Sequence, residues 1–309
     1  MKLRHIIESQ QFILPMLREL FERARTMENI LKRGGTHDYE KKVMASLFYE
    51  SGTLTRFSFE TAMARLGGRI ISTQHASTFF SASPDDTLED TIRVVDDFCD
   101  VIVLRHNTIG GAKRAAAVST CAIINAGDGK GGQHPTQALL DLYTIHKETN
   151  TLDGLKVAMV GNLAEGRTVR SLSYLLGKFE RVKIYFVAPK SLQMKEDMLS
   201  HLSENGSWYT LEENLRAVLP EVDVVYVTSI ERERFKGTDD EFSKITQQYF
   251  INKEAMRLLQ NKSIIMHPLP RAGEIASEVD SDPRAAYFRQ TQNGIVIRMA
   301  LLAWMMEDN

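Results

Sequence analysis

The chain has little of what marks a secreted, membrane-bound or nucleic-acid-binding protein. Its 309 residues contain two cysteines, Cys99 and Cys121. Two thiols in so long a chain argue against a disulfide framework and for a reducing compartment. No run approaches the roughly 18 consecutive apolar residues of a membrane span. The opening segment, MKLRHIIESQQF, lacks the apolar centre of a signal peptide. Formal net charge is only -2, so no global field favours nucleic acid or a membrane surface. Internal repeats and low-complexity linkers are also missing. A cytoplasmic protein is expected, with neither a membrane nor a nucleic acid as partner. At 43% hydrophobic and 25% charged residues the balance is that of a globular protein, long enough for two domains.

What is present is an alternation of short apolar runs with helix-length amphipathic stretches. The runs are ASLFYE (45–50), GGRIIST (67–73), DVIVLRH (100–106), CAIINAGDG (121–129), LKVAMVG (155–161), RVKIYFVAP (181–189), DVVYVTS (223–229) and KSIIMHPLP (262–270). TRFSFETAMARLG and GRTVRSLSYLLGKF are typical of the stretches between them. Strands alternating with helices predict βαβ units and parallel sheets covered on both faces. The eight runs divide into two groups of four at the polar IHKETNTLDG (145–154). The fold class is therefore α/β, with two doubly wound parallel-sheet domains. Ligands in such sheets bind at the carboxyl ends of the strands, so functional residues should follow the apolar runs directly.

Several polar clusters do. After ASLFYE, the small residues of SGTLT lead into a helix. That helix start offers free N–H groups, a positive dipole end and the hydroxyls of Thr53 and Thr55, all suited to a phosphate. Plain N-capping by Ser51 or Thr53 is the competing reading. Arg105 ends DVIVLRH and can clamp a phosphate or a carbonyl, or else form a salt bridge. GDGKGGQHPTQ follows CAIIN; its glycines allow close backbone approach, and His134 can donate to an oxygen on which charge develops. In GNLAEGRTV, the glycines Gly161 and Gly166 lack the spacing of a dinucleotide fingerprint and no acidic residue closes the next strand, which argues against a nicotinamide dehydrogenase. Arg167 there is placed to pair with a carboxylate. HPLPR (267–271) is a rigid, non-helical loop whose exposed carbonyls can accept from an amine.

Taken together, FYESGTLTRFSFE, VLRH, GDG…QHPTQALLDL, GNL..GRTV, VYVT…ERF and MHPLPR resemble the catalytic chains of aspartate carbamoyltransferase in order and spacing. The resemblance runs nearly end to end, through NGIVIRMALLAW. It implies the aspartate/ornithine carbamoyltransferase fold, in which helices join the two domains. Residues 1–140 with 290–309 would bind carbamoyl phosphate, and residues 150–285 the amino-acid acceptor. It also implies a homotrimer with shared active sites, no organic cofactor, no metal and a place in pyrimidine biosynthesis, and it leaves a regulatory chain open.

Carried across by position, Thr53 and Thr55 would bind phosphate and carbonyl oxygens. Arg105 and His134 would polarise the carbonyl, and Gln137 would hold the carbamoyl amide. Arg167, beside Thr168, would grip the acceptor's carboxylate, and Leu269 would offer its carbonyl. Glu50 would bridge to Arg167 and Arg234 on domain closure. Three departures from the family pattern stand out. Its S-T-R-T-R loop here reads Gly52-Thr53-Leu54-Thr55-Arg56, replacing a phosphate-binding arginine by Leu54. In the inter-chain loop, Phe80 and Pro84 stand where a serine and a lysine are usual, with Ser81 one position away. Ser229 replaces an arginine that would bind the acceptor's side-chain carboxylate, and Glu231 replaces a glutamine. Three readings follow. The chain is a carbamoyltransferase with weakened phosphate binding and altered acceptor specificity, an enzyme using a less charged donor, or a silent homologue acting as assembly partner or sensor.

Overall fold

The computed structural model describes residues 3–74, 76, 87–232, 235 and 237–307. The chain divides into two compact units. One is Met1–Leu140 with Gln292–Asn309; the other is Asp141–Thr291.

In the first unit, β1 (Val43–Phe48), β2 (Arg69–Gln74), β3 (Val101–His106) and β4 (Ala122–Asp128) form one parallel sheet in the order β2-β1-β3-β4. Its helices are α1 (Leu14–Lys32), α2 (Thr53–Arg65), α3 (Leu88–Asp96) and α4 (Gly111–Val118). β3 is buried along its whole length, and β1 along all but its first residue, which is why both read as continuous apolar runs. Ala45, Leu47, Ile102, Leu104 and Ile123 of the sheet pack with Leu88, Ile92 and Val95 of α3 and Ala115 of α4. Each large aliphatic side chain so buried contributes about 1.5–3 kcal/mol.

The helix after β1 is anchored by spacing. Phe59, Ala62, Met63 and Leu66 are three or four residues apart and fully buried, so one face of α2 is fixed in the core. Arg298 pins the same helix: its guanidinium lies 5.0 Å from the Phe59 ring centroid and donates to Ser58 Oγ at 2.6 Å.

The second unit is built alike, with one strand more. β5 (Lys156–Val160), β6 (Lys183–Val187), β7 (Trp208–Glu212), β8 (Val224–Val227) and β9 (Ile264–Met266) are all parallel, in the order β7-β6-β5-β8-β9. Helices α6 (Arg167–Leu176), α7 (Glu196–Glu204), α8 (Leu215–Val218), α9 (Asp239–Gln248) and α10 (Lys253–Leu258) connect them. The sequence pattern gave two groups of four strands; the described residues form four and five. The extra strand, β7, is an edge strand with no buried residue, so it carries no apolar run.

The boundary between the units falls inside two helices, α5 (Pro135–Thr149) and α11 (Tyr287–Met306). In each sheet the order of connection reverses at one place, between β1 and β3 in the first unit and between β5 and β8 in the second. Each reversal point is fixed from below in the same way. Asp100, just before β3, accepts from Val43 N at 2.8 Å; Asp223, just before β8, accepts from Lys156 N at 2.8 Å. At such a switch point the loops leave in opposite directions and open a crevice at the strands' carboxyl ends.

Candidate active site

Each crevice collects the polar clusters that the sequence places after strands. In the first unit, the loop leaving β1 carries Glu50 and reaches α2 through Gly52, its N-cap. Gly52 has no side chain to cap with, and neither Ser51 nor Thr53 takes that position. Among the described residues, no N-cap side chain bonds the first-turn N–H groups of α2. Thr53 and Leu54 are exposed and Thr55 half-buried at this end. Leu54 exposes 51% of its surface, an apolar residue presented to solvent at a positive helix end.

Arg105 lies on the adjoining strand. It is 9% exposed, pairs with Glu50 at 3.0 Å and donates to Ala126 O at 3.3 Å. Two glycines make its position possible. A Cβ on Gly52 would stand 2.7 Å from Arg105 Cδ and Nε, and one on Gly127 would stand 2.9 Å from Nη1. Gly127 also has φ +128, which side-chain-bearing residues avoid. The guanidinium thus lies along backbone on both sides, and both contacts escape a reading of sequence alone.

The loop after β4 turns back sharply. Asp128 N donates to Gln133 O, and the Asp128 carboxylate accepts from Gly110 N at 2.9 Å and Gly111 N at 3.1 Å, closing the start of α4. This delivers His134 to the N-terminal edge of α5, where its carbonyl accepts from Gln137 N and Ala138 N. His134 is 4% exposed and its Nδ1 lies 3.4 Å from Thr136 Oγ1; Gln137 is 7% exposed. A charge-fixed arginine and a buried imidazole at one sheet edge are donors suited to a carbonyl oxygen that gains charge.

The second unit places a different set at its crevice. Arg167 and Thr168 are the first two residues of α6, both half-buried, after the turn that leaves β5. Gly161 and Gly166 keep that turn tight. A Cβ on either would meet a backbone oxygen, Thr228 O at 2.1 Å and Asn162 O at 2.6 Å respectively. Ser229 and Glu231 follow β8, and both are half-buried. Leu269 follows β9 with φ +48, and its N–H donates to His267 Nδ1 at 2.8 Å.

The loop after β9 hangs from a buried polar chain. His267 N donates to Gln290 Oε1 at 3.0 Å, Gln290 Nε2 to Asp141 Oδ1 at 2.6 Å, and Tyr226 OH to Asp141 Oδ2 at 2.6 Å. Every member is at most 2% exposed. Three residues beyond the loop, Glu274 accepts from Ser229 Oγ at 2.8 Å, from Ala272 N at 2.9 Å and from His267 Nε2. Burial alone would raise its pKa, but the hydrogen bonds from His267 and Ser229 outweigh that and hold the carboxyl down, to about 2. Sequence reasoning passed over Glu274; the available signal was an acid placed just past HPLPR.

The inter-chain positions Ser81 and Pro84, like Arg234, lie outside the described residues. Among the described residues, no group of three or more His, Cys, Asp or Glu could hold a metal ion, and no helix is long and apolar enough to cross a membrane.

Comparison with known proteins gives a consistent answer. Residues 4–147 match the carbamoyl-P binding domain of aspartate/ornithine carbamoyltransferases, and residues 153–305 match the Asp/Orn binding domain. The chloroplastic aspartate carbamoyltransferase of Arabidopsis thaliana is 50% identical over 99% of this chain and 78% of its own length. The aspartate carbamoyltransferase catalytic subunit of Methanocaldococcus jannaschii is 44% identical over 99% of both chains. The solved structure of the M. jannaschii catalytic subunit superposes with a TM-score of 0.93, covering 99% of both chains. Aspartate transcarbamoylase from Trypanosoma cruzi, in complex with N-(phosphonacetyl)-L-aspartic acid, is 38% identical with a TM-score of 0.91, over 98% of this chain and 96% of that one. Matched in both halves and over its whole fold, the chain belongs to the aspartate/ornithine carbamoyltransferase family and is a carbamoyltransferase.

Proposed function

We propose that the chain transfers a carbamoyl group from carbamoyl phosphate to the amine of an amino acid, with weakened phosphate binding and an acceptor preference shifted away from aspartate. In this reading the donor occupies the first unit's crevice. Its phosphate meets the open N–H groups of α2 and the hydroxyls of Thr53 and Thr55, and its carbonyl oxygen accepts from Arg105 and His134. Gln137 holds the carbamoyl amide. The acceptor belongs to the second unit, its α-carboxylate on Arg167 near Thr168 and its amine donating to the Leu269 carbonyl. The neutral amine nitrogen attacks the carbonyl carbon, charge builds on the oxygen held by Arg105 and His134, and the carbon–phosphate oxygen bond breaks as the phosphate leaves with the proton that the amine gives up. None of these steps uses a cofactor.

The observation that carries the reading is Arg105, nine-tenths buried and laid between Gly52 and Gly127 beside the open helix start. A fixed donor of that kind is worth roughly 10²–10³ in rate. Weakened phosphate binding rests on Leu54, half exposed at the same helix start, where the family pattern carries an arginine. Shifted acceptor preference rests on Ser229, which stands in place of a second arginine. Leu54 also favours a second reading, a donor less charged than carbamoyl phosphate. We further infer a cytoplasmic homotrimer with shared sites completed by the loop of Ser81 and Pro84; the plant relatives, by contrast, are named chloroplastic.

The test is direct. The protein is incubated with carbamoyl phosphate and each amino acid in turn, and ureido products and released phosphate are counted. One phosphate per N-carbamoyl amino acid supports the proposal. No product with any acceptor favours the silent reading, and a carbamoyl product from another donor alone favours the second.

A further inference from the structure

The switch point of the second sheet contains a cavity of about 180 Å³, lined at its floor by Val160, Val227 and Thr228 and at its sides by Ile230, Phe242 and Glu274. That volume suits an amino-acid side chain better than a water or two. Its walls are mostly apolar, and the Tyr249 hydroxyl on its border is bonded to Glu213 O. The hydroxyls of Thr228 and Thr246, which also border it, are already bonded to Val160 O and to the carbonyls of Phe242 and Ser243. Glu274 is the charged residue among those described that line it.

That carboxylate is held by three hydrogen-bonding groups. Ser229 Oγ and Ala272 N are uncharged. His267 Nε2 bonds it too, and Leu269 N–H donates to the ring's Nδ1. The described arginines nearest in sequence are bound elsewhere. Arg271 forks onto Asp280 at 2.5 and 2.7 Å, and Arg232 onto Asp239 at 2.7 Å. Among the described residues that line the cavity, the one charged group is therefore this carboxylate, a hydrogen-bond acceptor among mostly apolar neighbours.

We propose that this cavity selects the acceptor's side chain, and that Glu274 makes it choose an amino acid whose side chain ends in a nitrogen donor, an amide or an ammonium group, over one ending in a carboxylate. The inference rests on the carbamoyl transfer proposed above and supplies its acceptor class. A second carboxylate brought beside Glu274 meets like charge in a partly desolvated pocket, a penalty of roughly a hundredfold in binding. An N–H donor meets a carboxylate already ionised and fixed, and its apolar stem fits the remaining walls. Specificity here comes from rejection as much as from attraction.

The experiment compares kcat/KM for asparagine, 2,4-diaminobutyrate and aspartate with carbamoyl phosphate as donor. Wild type is expected to favour at least one nitrogen-ended acceptor over aspartate by tenfold or more, and the better of the two tells amide from ammonium. Glu274→Gln should shrink that ratio at least tenfold. Ser229→Arg, which sets a cation against Glu274, should move it the same way even if Glu274→Gln folds poorly. Preference of the wild type for aspartate overturns the inference, as does a ratio that neither variant moves. If no acceptor is carbamoylated, it is the proposed transfer that fails. Calorimetric binding of the same three amino acids, which needs no turnover, then decides the cavity's preference: aspartate binding as tightly as the other two overturns it.

Discussion

Leu54→Arg tests the proposed donor crevice most simply, because the leucine side chain is half exposed. The substitution should change stability by no more than about 0.5 kcal/mol. Its effect on anion binding follows from charge. A guanidinium about 5 Å from a phosphate charge gains roughly 0.8 kcal/mol at the dielectric of water and roughly 3 kcal/mol at an effective dielectric of about 20. A half-exposed position lies between these limits. Ordering a long side chain costs about 1 kcal/mol. The balance is about 1.4 kcal/mol, a tenfold tightening. Isothermal titration with inorganic phosphate at low ionic strength reads this directly, with Leu54→Gln as a control that adds polarity and no charge. The control should bind within about twofold of wild type. The tenfold gain should fade as salt shortens the Debye length to about 3 Å near 1 M. Equal phosphate affinity of the Arg and Gln variants at low salt would refute the placement of Leu54 beside the anion.

Gly127→Ala should both strain the chain at φ +128 and press on Arg105 Nη1. The expected result is a loss of about 1–3 kcal/mol in denaturant unfolding together with at least a tenfold fall in kcat; an unchanged kcat separates Gly127 from the chemistry. Glu274 gives the protein a specific acid sensitivity. Its folded pKa of about 2 lies below the ordinary 4.5, so its contribution is complete above pH 4.5 and is lost as pH falls toward 2. At about 1.36 kcal/mol per pH unit this amounts to about 3 kcal/mol. The difference in unfolding free energy between wild type and Glu274→Gln should therefore narrow across that window; a difference that is independent of pH removes the charge argument. Burial raises the Cys99 thiol to about 12 and the Cys121 thiol to about 11. Both should react with a disulfide reagent at pH 8 far more slowly in the folded protein than after denaturation, and equal rates would contradict their burial.

Much of this architecture could be read from residue order alone, for physical reasons that differ from element to element. β3 and β8 are covered on both faces, so their sequences are apolar throughout and easy to see. β7 borders solvent, and Trp208-Tyr-Thr-Leu-Glu212 carries no such run. Arg105, His134 and Arg167 could be picked out because each lies at the end of a strand or at the start of a helix. What a one-dimensional pattern cannot carry is contact between distant residues. The fit of Arg105 against Gly52 and Gly127 joins two strands and a helix cap that lie far apart in the sequence. The chain from Tyr226 through Asp141 and Gln290 to His267 spans nearly half the sequence, and each member looks unremarkable in its own segment. Ser229 was legible as a departure from the family pattern, but its partner Glu274 was not, since 45 residues separate them.

The central claim is that the first crevice polarises the carbonyl well yet holds the phosphate weakly, because an exposed leucine stands at its helix start. The dissociation constant of carbamoyl phosphate, measured by calorimetry on the unaltered chain beside the M. jannaschii catalytic subunit, tests this most directly. Binding at least tenfold weaker than that of the archaeal subunit is the predicted result. Equal or tighter binding would contradict it.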